Sequence, residues 1–262
     1  LGFGMNLFEI FRVGSQSLLI IISTIGTALV VSYAVSRIMK IDHDIATLVG
    51  VGSSICGGSA IAAAAPVIKA SDEDIAQSIS VIFLFNVIAA FLFPTLGAIL
   101  GFNDMGFGMW AGTAINDTSS VVAAGQTWAS ASGRDTALNY ATIVKLTRTL
   151  AIIPICLGLA YLTSKRKATT SEVKISSIFP MFIIYFLGAS IINTFAGSHF
   201  DFFQFLPAIG KFMIAMAMAA IGLNTNLVKL IKTGGKPILL GLICWFCIAV
   251  VSLAMQHLLN IW

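Results

Sequence analysis

Long runs of uncharged, mostly apolar residues dominate this sequence. Five of them contain no Asp, Glu, Lys or Arg. A helix needs about 20 apolar residues to cross the hydrocarbon core of a bilayer. Because lipid offers no partner for backbone N–H and C=O groups, a spanning segment must be a helix or part of a closed barrel, and no strand-like alternation is present. The charge-free runs are residues 13–36, 45–68, 75–103, 175–198 and 237–256.

The composition supports the same fold class, because 58% of the residues are hydrophobic and only 10% are charged. A soluble domain has about 25% charged residues. We therefore predict an all-α polytopic membrane protein in which residues 1–262 form one integral membrane domain. The net charge of +4 reflects Lys and Arg in short loops and does not indicate nucleic-acid binding. The eight predicted transmembrane segments are 17–38, 46–65, 76–99, 105–128, 138–162, 176–195, 202–223 and 238–260.

An internal repeat relates residues 1–14 to residues 221–234 at an offset of 220. Weak internal symmetry of this kind is typical of transporter folds, so we expect an inverted-repeat core. An apolar segment precedes the second copy but not the first, and further N-terminal helices are therefore expected upstream of the first residue. The identical pairs are Gly2 and Gly222, Asn6 and Asn226, Leu7 and Leu227, and Gly14 and Gly234.

Loop charges predict the orientation. If every segment crosses once, one set of loops holds nine basic residues and the opposite set at most four. The positive-inside rule places the richer set in the cytoplasm and the C-terminus outside. A re-entrant hairpin at a glycine-rich segment would break this count.

Segment 46–65 is unusually rich in glycine. Each Gly weakens a helix by about 1 kcal/mol relative to Ala, so the segment can unwind within the membrane. Helix ends created there would point partial charges at an ion. Close packing between helices through small residues is the alternative. The residues concerned are Gly50, Gly52, Gly57 and Gly58, together with Ser53, Ser54, Cys56 and Ser59.

Asp117, Lys145 and Arg148 are charged residues that lie well inside otherwise apolar segments. An ionised group at the bilayer centre costs about 2.5–3.5 kcal/mol, so such groups pair, face water or handle a charged ligand. Asp117 could bind Na⁺ or a proton, or pair with a cation. Lys145 and Arg148 are three residues apart and share a helix face. They could hold an anion, or they could neutralise Asp117 and the negative ends of interrupted helices.

Other chemistry has little support. The three His residues are scattered, which argues against a metal site. No nucleophile–base motif is present, so we expect neither an enzyme nor a cofactor. Cys244 and Cys247 lie within an apolar segment and are interpreted as packing residues. Asn86 is a weaker candidate to line the same cavity as the charged groups.

Four motifs occur in order, beginning at Gly52, Gly112, Ala141 and Met216. Together they resemble the YeiH-like bacterial membrane proteins, a family commonly labelled as sulfate exporters. The resemblance implies an inner-membrane location and distant kinship with cation/proton antiporters and bile-acid symporters, which contain two interrupted, crossing helices. Carried over by motif, the interruptions lie around Cys56 and around Asn116 and Asp117. Many members have a His-Glu pair at the latter positions, so a role of that His does not transfer to this chain.

We therefore expect a secondary transporter for a small anion, such as sulfate or a sulfonate, with Na⁺ or H⁺ as coupling ion. Asp117 would handle a coupling cation or balance charge. Lys145 and Arg148 would attract the anion, and the hydroxyls of segment 46–65 would bind its oxygens. A cation/proton antiporter using Asp117 and Lys145, and a non-transporting membrane scaffold, remain alternatives, and a homo-oligomer is left open. The expected contact residues are Ser53, Ser54, Cys56, Gly57, Gly58, Ser59, Asn116, Asp117, Thr118, Ser119, Ser120, Lys145 and Arg148.

Overall fold

A computed structural model describes residues 7–167, 181–196 and 235–261, together with the single positions 209, 212, 213 and 216. Within these ranges the ordered elements are helices and no strand occurs, which confirms the predicted fold class. The predicted segment 202–223 lies largely outside the described residues. The helices are α1 (Leu7–Met39), α2 (His43–Ser54), α3 (Gly58–Ile68), α4 (Asp72–Ile99), α5 (Asp104–Ala114), α6 (Thr118–Ser132), α7 (Thr136–Thr149), α8 (Ile152–Lys167), α9 (Met181–Ala196) and α10 (Gly235–Leu258).

Both predicted interruptions are present. Segment 46–65 is divided into α2 and α3, and segment 105–128 into α5 and α6. Gly57 separates the first pair with φ of +73°, a conformation that only glycine adopts at low cost. Asp117 separates the second pair in an extended conformation and acts as the N-cap of α6.

The first interrupted segment folds back on itself. Asp42 and Asp44, at the start of α2, have carboxylate oxygens within 4.8 Å of that of Asp74, in the first turn of α4. Near the turn between the two helices, a Cβ on Gly52 would lie 3.0 Å from the side chain of Ile61. The α2–α3 unit, hereafter hairpin 1, therefore begins and ends on the same side of the molecule.

The second interrupted segment folds back in the same way. Asp104, at the start of α5, forms an ion pair of 3.1 Å with Arg134, which follows α6. Trp128 donates its indole N–H to Asp104 at 2.9 Å and stacks on Phe107 with ring centroids 4.2 Å apart. The α5–α6 unit, hereafter hairpin 2, also has both of its ends together.

Helix α4 shows that the two hairpins enter from opposite sides. It starts at the open end of hairpin 1, and its last turns pack on the open end of hairpin 2, where a Cβ on Gly97 would lie 2.6 Å from the Phe107 ring. Its 28 residues span about 42 Å. Neither interrupted segment thus crosses as a single helix. The loops are therefore distributed between the two sides differently from a count with one crossing for each segment.

By length and composition, four helical stretches in the described ranges can cross a membrane. They are α1, α4, residues Thr136–Thr163 of the α7–α8 unit, and α10. The fold is thus a pair of re-entrant hairpins held between crossing helices.

Helices α1 and α10 form an antiparallel pair that supports the repeat at an offset of 220. Ser32, in the last third of α1, interacts with Cys244 in the first half of α10, whereas Met255, near the end of α10, packs near Val13 and Ile20 in the first half of α1. Residues 7–14 of the first copy are described and the second copy lies outside the described residues, but the helices that continue from them bury matching positions. In α10 these are Pro237, Leu240, Gly241, Cys244, Ile248, Ser252 and Gln256, and in α1 they are Ser17, Ile20, Ile21, Thr24, Ala28, Ser32 and Ser36.

Candidate functional site

The tips of the two hairpins meet in the interior of the protein. The tips are residues 55–57 and 115–117, which link the helices of each hairpin. A Cβ on Gly57 would lie 3.6 Å from the Cβ of Asp117. Asn86, halfway along α4, touches both tips: its Oδ1 accepts the backbone N–H of Asp117 at 3.2 Å, and its Nδ2 lies 3.4 Å from the Cβ position of Gly57.

Lys145 joins the two tips through their backbone. Its buried ammonium donates to the carbonyl of Ile55 at 2.6 Å and to that of Ile115 at 3.0 Å. Helix α7 can place it there because α5 presents glycines to α7. A Cβ on Gly108 or Gly112 would lie 2.8 Å from an α7 carbonyl oxygen.

Arg148, one turn further along α7, makes the same kind of bridge. Its Nε donates to Ser54 O at 2.7 Å and its Nη2 to Ser53 O at 2.6 Å, both at the end of α2. Its Nη1 donates to Thr113 O, at the end of α5. The guanidinium is completely buried. The two cations therefore bind the C-terminal ends of α2 and α5.

The last carbonyls of a helix have no intrahelical partner and carry the negative end of its dipole. Two such ends meet here away from water, and Lys145 and Arg148 satisfy them both. The sequence left open whether Lys145 and Arg148 bind an anion or neutralise negative groups of the protein. Their contacts match neutralisation of helix ends. Within the described ranges, neither cation lies within ion-pair distance of a carboxylate, and Asp117 pairs with no cation there.

Asp117 serves the opposite end of a helix. Its Oδ2 accepts the backbone N–H of Ser120 at 3.1 Å and the hydroxyl of Ser119. A carboxylate at this position complements the positive start of α6, which begins at Thr118. Two of the hydroxyl residues predicted beside Asp117, Ser119 and Ser120, therefore contact its carboxylate directly.

The start of α3 is built differently. Gly57 occupies the N-cap position without a side chain, and the nearest substitute is the sulfur of Cys56, which interacts with the backbone N–H of Ala60. A Cβ on Gly58 would meet no described atom within 4 Å, and Ser59 is exposed. Within the part of the chain that the structure describes, no carboxylate caps the α3 start, and the position beside Gly58 is open.

Several buried polar atoms near the tips have no partner among the described residues. Asn116 is 0% exposed, and both of its side-chain amide atoms are unpaired. Asn86 is 3% exposed, and its Nδ2 is unpaired. The Ser53 hydroxyl is also buried without a partner, whereas that of Ser54 donates to Val51 O within α2. Such atoms are uncommon in folded proteins and each calls for an explanation.

A second repeat, not predicted from the sequence, relates the two hairpins at an offset of 60. Both tips occupy the same register, so Lys145 binds equivalent residues 55 and 115, and Arg148 binds equivalent residues 53 and 113. Aligning residues 52–65 with residues 112–125 would have revealed this symmetry. The identical pairs are Gly52 and Gly112, Ile55 and Ile115, Ser59 and Ser119, Ala63 and Ala123, and Ala64 and Ala124.

A cavity of about 460 Å³ lies between α1, α2 and α8. Arg37 and His43 stand on its wall near the open end of hairpin 1, and Gly50 and Val51 line its deeper part. None of the tip residues lines it. The cavity therefore approaches the tips without including the predicted contact residues.

Comparison with known proteins supports the family resemblance. The profile of the family described as "Conserved hypothetical protein 698" matches residues 1–241. A UPF0324 membrane protein of Streptococcus pyogenes serotype M3 is 58% identical over the whole chain, which covers 79% of that protein. A UPF0324 membrane protein of Fusobacterium nucleatum is 54% identical over the whole chain, which covers 80% of it. No solved structure matches the chain significantly. The resemblance to the YeiH-like proteins is thus confirmed, and the chain belongs to the UPF0324 family of membrane proteins.

Proposed function

We propose that the protein is a secondary transporter that moves a small anion, sulfate or a sulfonate, across the bacterial inner membrane. One observation carries the proposal: two re-entrant hairpins from opposite sides meet tip to tip beside unpaired buried polar groups. Irregular backbone at membrane depth is tolerated only where it is buried in protein or lines a water-filled cavity. An arrangement in which each side of a central site is closed by its own hairpin suits a carrier.

The charge at the tips favours an anion. Two helix C-termini, with about −0.5 charge each, and two helix N-termini, with about +0.5 each, meet at the tips. These partial charges sum to zero. Lys145, Arg148 and Asp117 then leave a net charge of about +1. One small anion would neutralise it, and a divalent anion would need a cation in addition.

The re-entrant hairpins change the topology argument but keep its outcome. Helices α1 and α8 end on the side where hairpin 1 opens, and α10, antiparallel to α1, begins there. The described basic residues on that side outnumber those on the other by seven to two, so hairpin 1 would open to the cytoplasm and the C-terminal end of α10 would lie outside. The seven are Arg37, Lys40, Lys69, Lys165, Arg166, Lys167 and Lys236, and the two are Arg12 and Arg134.

The test is transport by the purified protein in proteoliposomes. We expect uptake of radiolabelled sulfate or methanesulfonate, accelerated when the same anion is present inside. Liposomes without protein and liposomes with heat-inactivated protein are the controls. If neither anion, nor chloride or nitrate, moves faster than in the controls, the proposal is wrong.

A coupling role for Asp117 is supported by a separate observation, because this carboxylate is partly exposed and has no cationic partner in the described ranges. We propose that it binds the coupling Na⁺ or H⁺. Asp117→Asn keeps an oxygen for the cap and removes the charge. It should preserve anion exchange at equal concentrations and abolish uptake driven by a Na⁺ or proton gradient. Unchanged gradient-driven uptake would exclude this role. The same assay tests a cation/proton antiporter, in which cation flux would proceed without any anion.

A further inference from the structure

The two buried cations are already occupied. Each nitrogen of the Lys145 and Arg148 side chains donates to a backbone carbonyl, and both side chains are completely buried. Because neither side chain is exposed, a ligand could reach them only if surrounding groups moved. The arrangement therefore leaves them as supports of the hairpin tips, with a long-range electrostatic effect on whatever lies nearby.

Of the four helix ends at the tips, three are balanced by a charged side chain. Lys145 and Arg148 cover the ends of α2 and α5, and the Asp117 carboxylate covers the start of α6. Among the described residues, the start of α3 is met by the Cys56 sulfur and by no charged side chain. Its first N–H groups therefore keep the partial positive charge that makes a helix N-terminus attractive to anions.

An independent observation points to a ligand at the same place. The Asn86 Nδ2 is buried, has no partner among the described residues, and lies 3.4 Å from the Cβ position of Gly57. An unsatisfied buried donor costs about 1–3 kcal/mol. Its amide is oriented by the bond from the Asp117 N–H to Oδ1, which directs Nδ2 away from that contact. The donor is therefore held in place beside the α3 start.

The site also has room and a suitable field. The position beside Gly58 is open to 4 Å among the described residues, and the hydroxyl-bearing Ser59 next to it is exposed. Cys56 lies within electrostatic range of Lys145, Arg148 and Asp117, whose charges sum to +1. An anion here would be attracted by Lys145 and Arg148 and repelled by Asp117, and the sum of the three charges favours it.

We infer that the transported anion binds at the start of α3, where the backbone N–H groups of Gly58 and Ser59 and the Asn86 side-chain amide donate to its oxygens. Lys145 and Arg148 do not contact it. This inference rests on the proposed function and places its binding site. It assigns the anion to hairpin 1 and the coupling cation to hairpin 2.

The experiment measures sulfate and methanesulfonate affinity with the purified full chain, by equilibrium binding and by half-saturation of proteoliposome exchange. Asn86→Asp keeps the oxygen that accepts from Asp117 and replaces the free donor by a repelling oxygen. Gly58→Val fills the open space. Each variant should weaken anion affinity at least tenfold while the protein stays folded by circular dichroism and gel filtration.

Two control variants match these changes away from the tips. Asn103→Asp alters another Asn whose Oδ1 accepts a backbone N–H, that of Gly106. Gly26→Val fills another helical position with no described atom within 4 Å. Both should bind anions as the unmodified protein does.

The outcomes separate the inference from the proposed function. If the unmodified protein exchanges anions and both test variants retain its affinity, the placement is wrong and the transporter function stands. If the control variants lose affinity as much as the test variants, the effect is general and the placement is also wrong. If the unmodified protein neither binds nor moves these anions, the proposed function fails.

Discussion

The two hairpin tips have the same backbone plan but different charges. Both break at equivalent positions, and both give their last carbonyls to Lys145 and Arg148. After the break they diverge, because hairpin 1 continues with Gly57 and Gly58, whereas hairpin 2 continues with Asp117 and Thr118. Repetition therefore explains the architecture, and a few side-chain differences give one tip a positive end and the other a carboxylate.

The largest effect should come from the group that both tips share. Arg148→Met leaves three buried carbonyls without a donor, and each costs about 1–3 kcal/mol, so we expect a destabilisation of about 3 kcal/mol or more. Thermal unfolding in detergent would measure it. Arg148→Lys should recover only part of the stability, because an ammonium lacks the planar fork. Full thermal stability of Arg148→Met combined with lost anion binding would instead indicate a ligand-contacting role.

The second-largest loss of stability should come from the backbone of the hairpin 1 tip, where Gly57 has a conformation that other residues rarely adopt. Gly57→Ala places a Cβ at φ +73° and ψ −126°, a region that is essentially limited to glycine, and we expect a cost of about 2–3 kcal/mol. Gly133→Ala is the matched control, since its φ of +72° and ψ of 12° lie in the ordinary left-handed region and should cost about 1–2 kcal/mol. Equal unfolding temperatures for the two variants would contradict the special geometry of the hairpin 1 tip.

The charge difference itself should have a smaller effect on stability. Asp117→Ala removes the side-chain cap of α6 and should cost about 1 kcal/mol. Asp117→Asn keeps the cap and should lie within a few tenths of a kcal/mol of the unmodified protein. If both variants unfold at the same temperature as the unmodified protein, the cap contributes nothing and the carboxylate is retained for its charge alone.

The smallest effect concerns the open end of hairpin 2. Arg134 is 70% exposed where it pairs with Asp104, so Arg134→Met should cost less than about 1 kcal/mol, with the difference shrinking in high salt. A loss as large as that of Arg148→Met would mean that the hairpin is held at its open end and not at its tip.

Much of this arrangement could be predicted from local composition. Four glycines in segment 46–65 weaken a helix enough to predict the first break, whereas the second break, around Asn116 and Asp117, was implied by the family resemblance. The cost of isolated charges in lipid also predicts that Asp117, Lys145 and Arg148 gather in the interior. The structure does bring the two interruptions and the α7 cations together, although the binding roles of these residues remain predictions.

Composition did not predict that each interrupted segment folds back on itself. A helix that crosses and a hairpin that returns have the same hydropathy, and only contacts such as Asp104 with Arg134 reveal which one is present. The partners of Lys145 and Arg148 were equally hidden, because they are backbone carbonyls and every residue has one. Asn86 was undervalued for a related reason: its importance comes from its position opposite two tips that are distant in sequence.

The position of Asn86 has an electrical consequence. It is 14 residues after the start of α4 and 13 before its end, so it lies about 20 Å from either end of the helix. A charge that reaches the tips from either side would therefore traverse about half of the transmembrane voltage, or roughly 1.2 kcal/mol per elementary charge at 100 mV. The affinity for a charged ligand that enters from one face of the membrane would then depend on the membrane potential about as strongly as the affinity from the other face, but with the opposite sign.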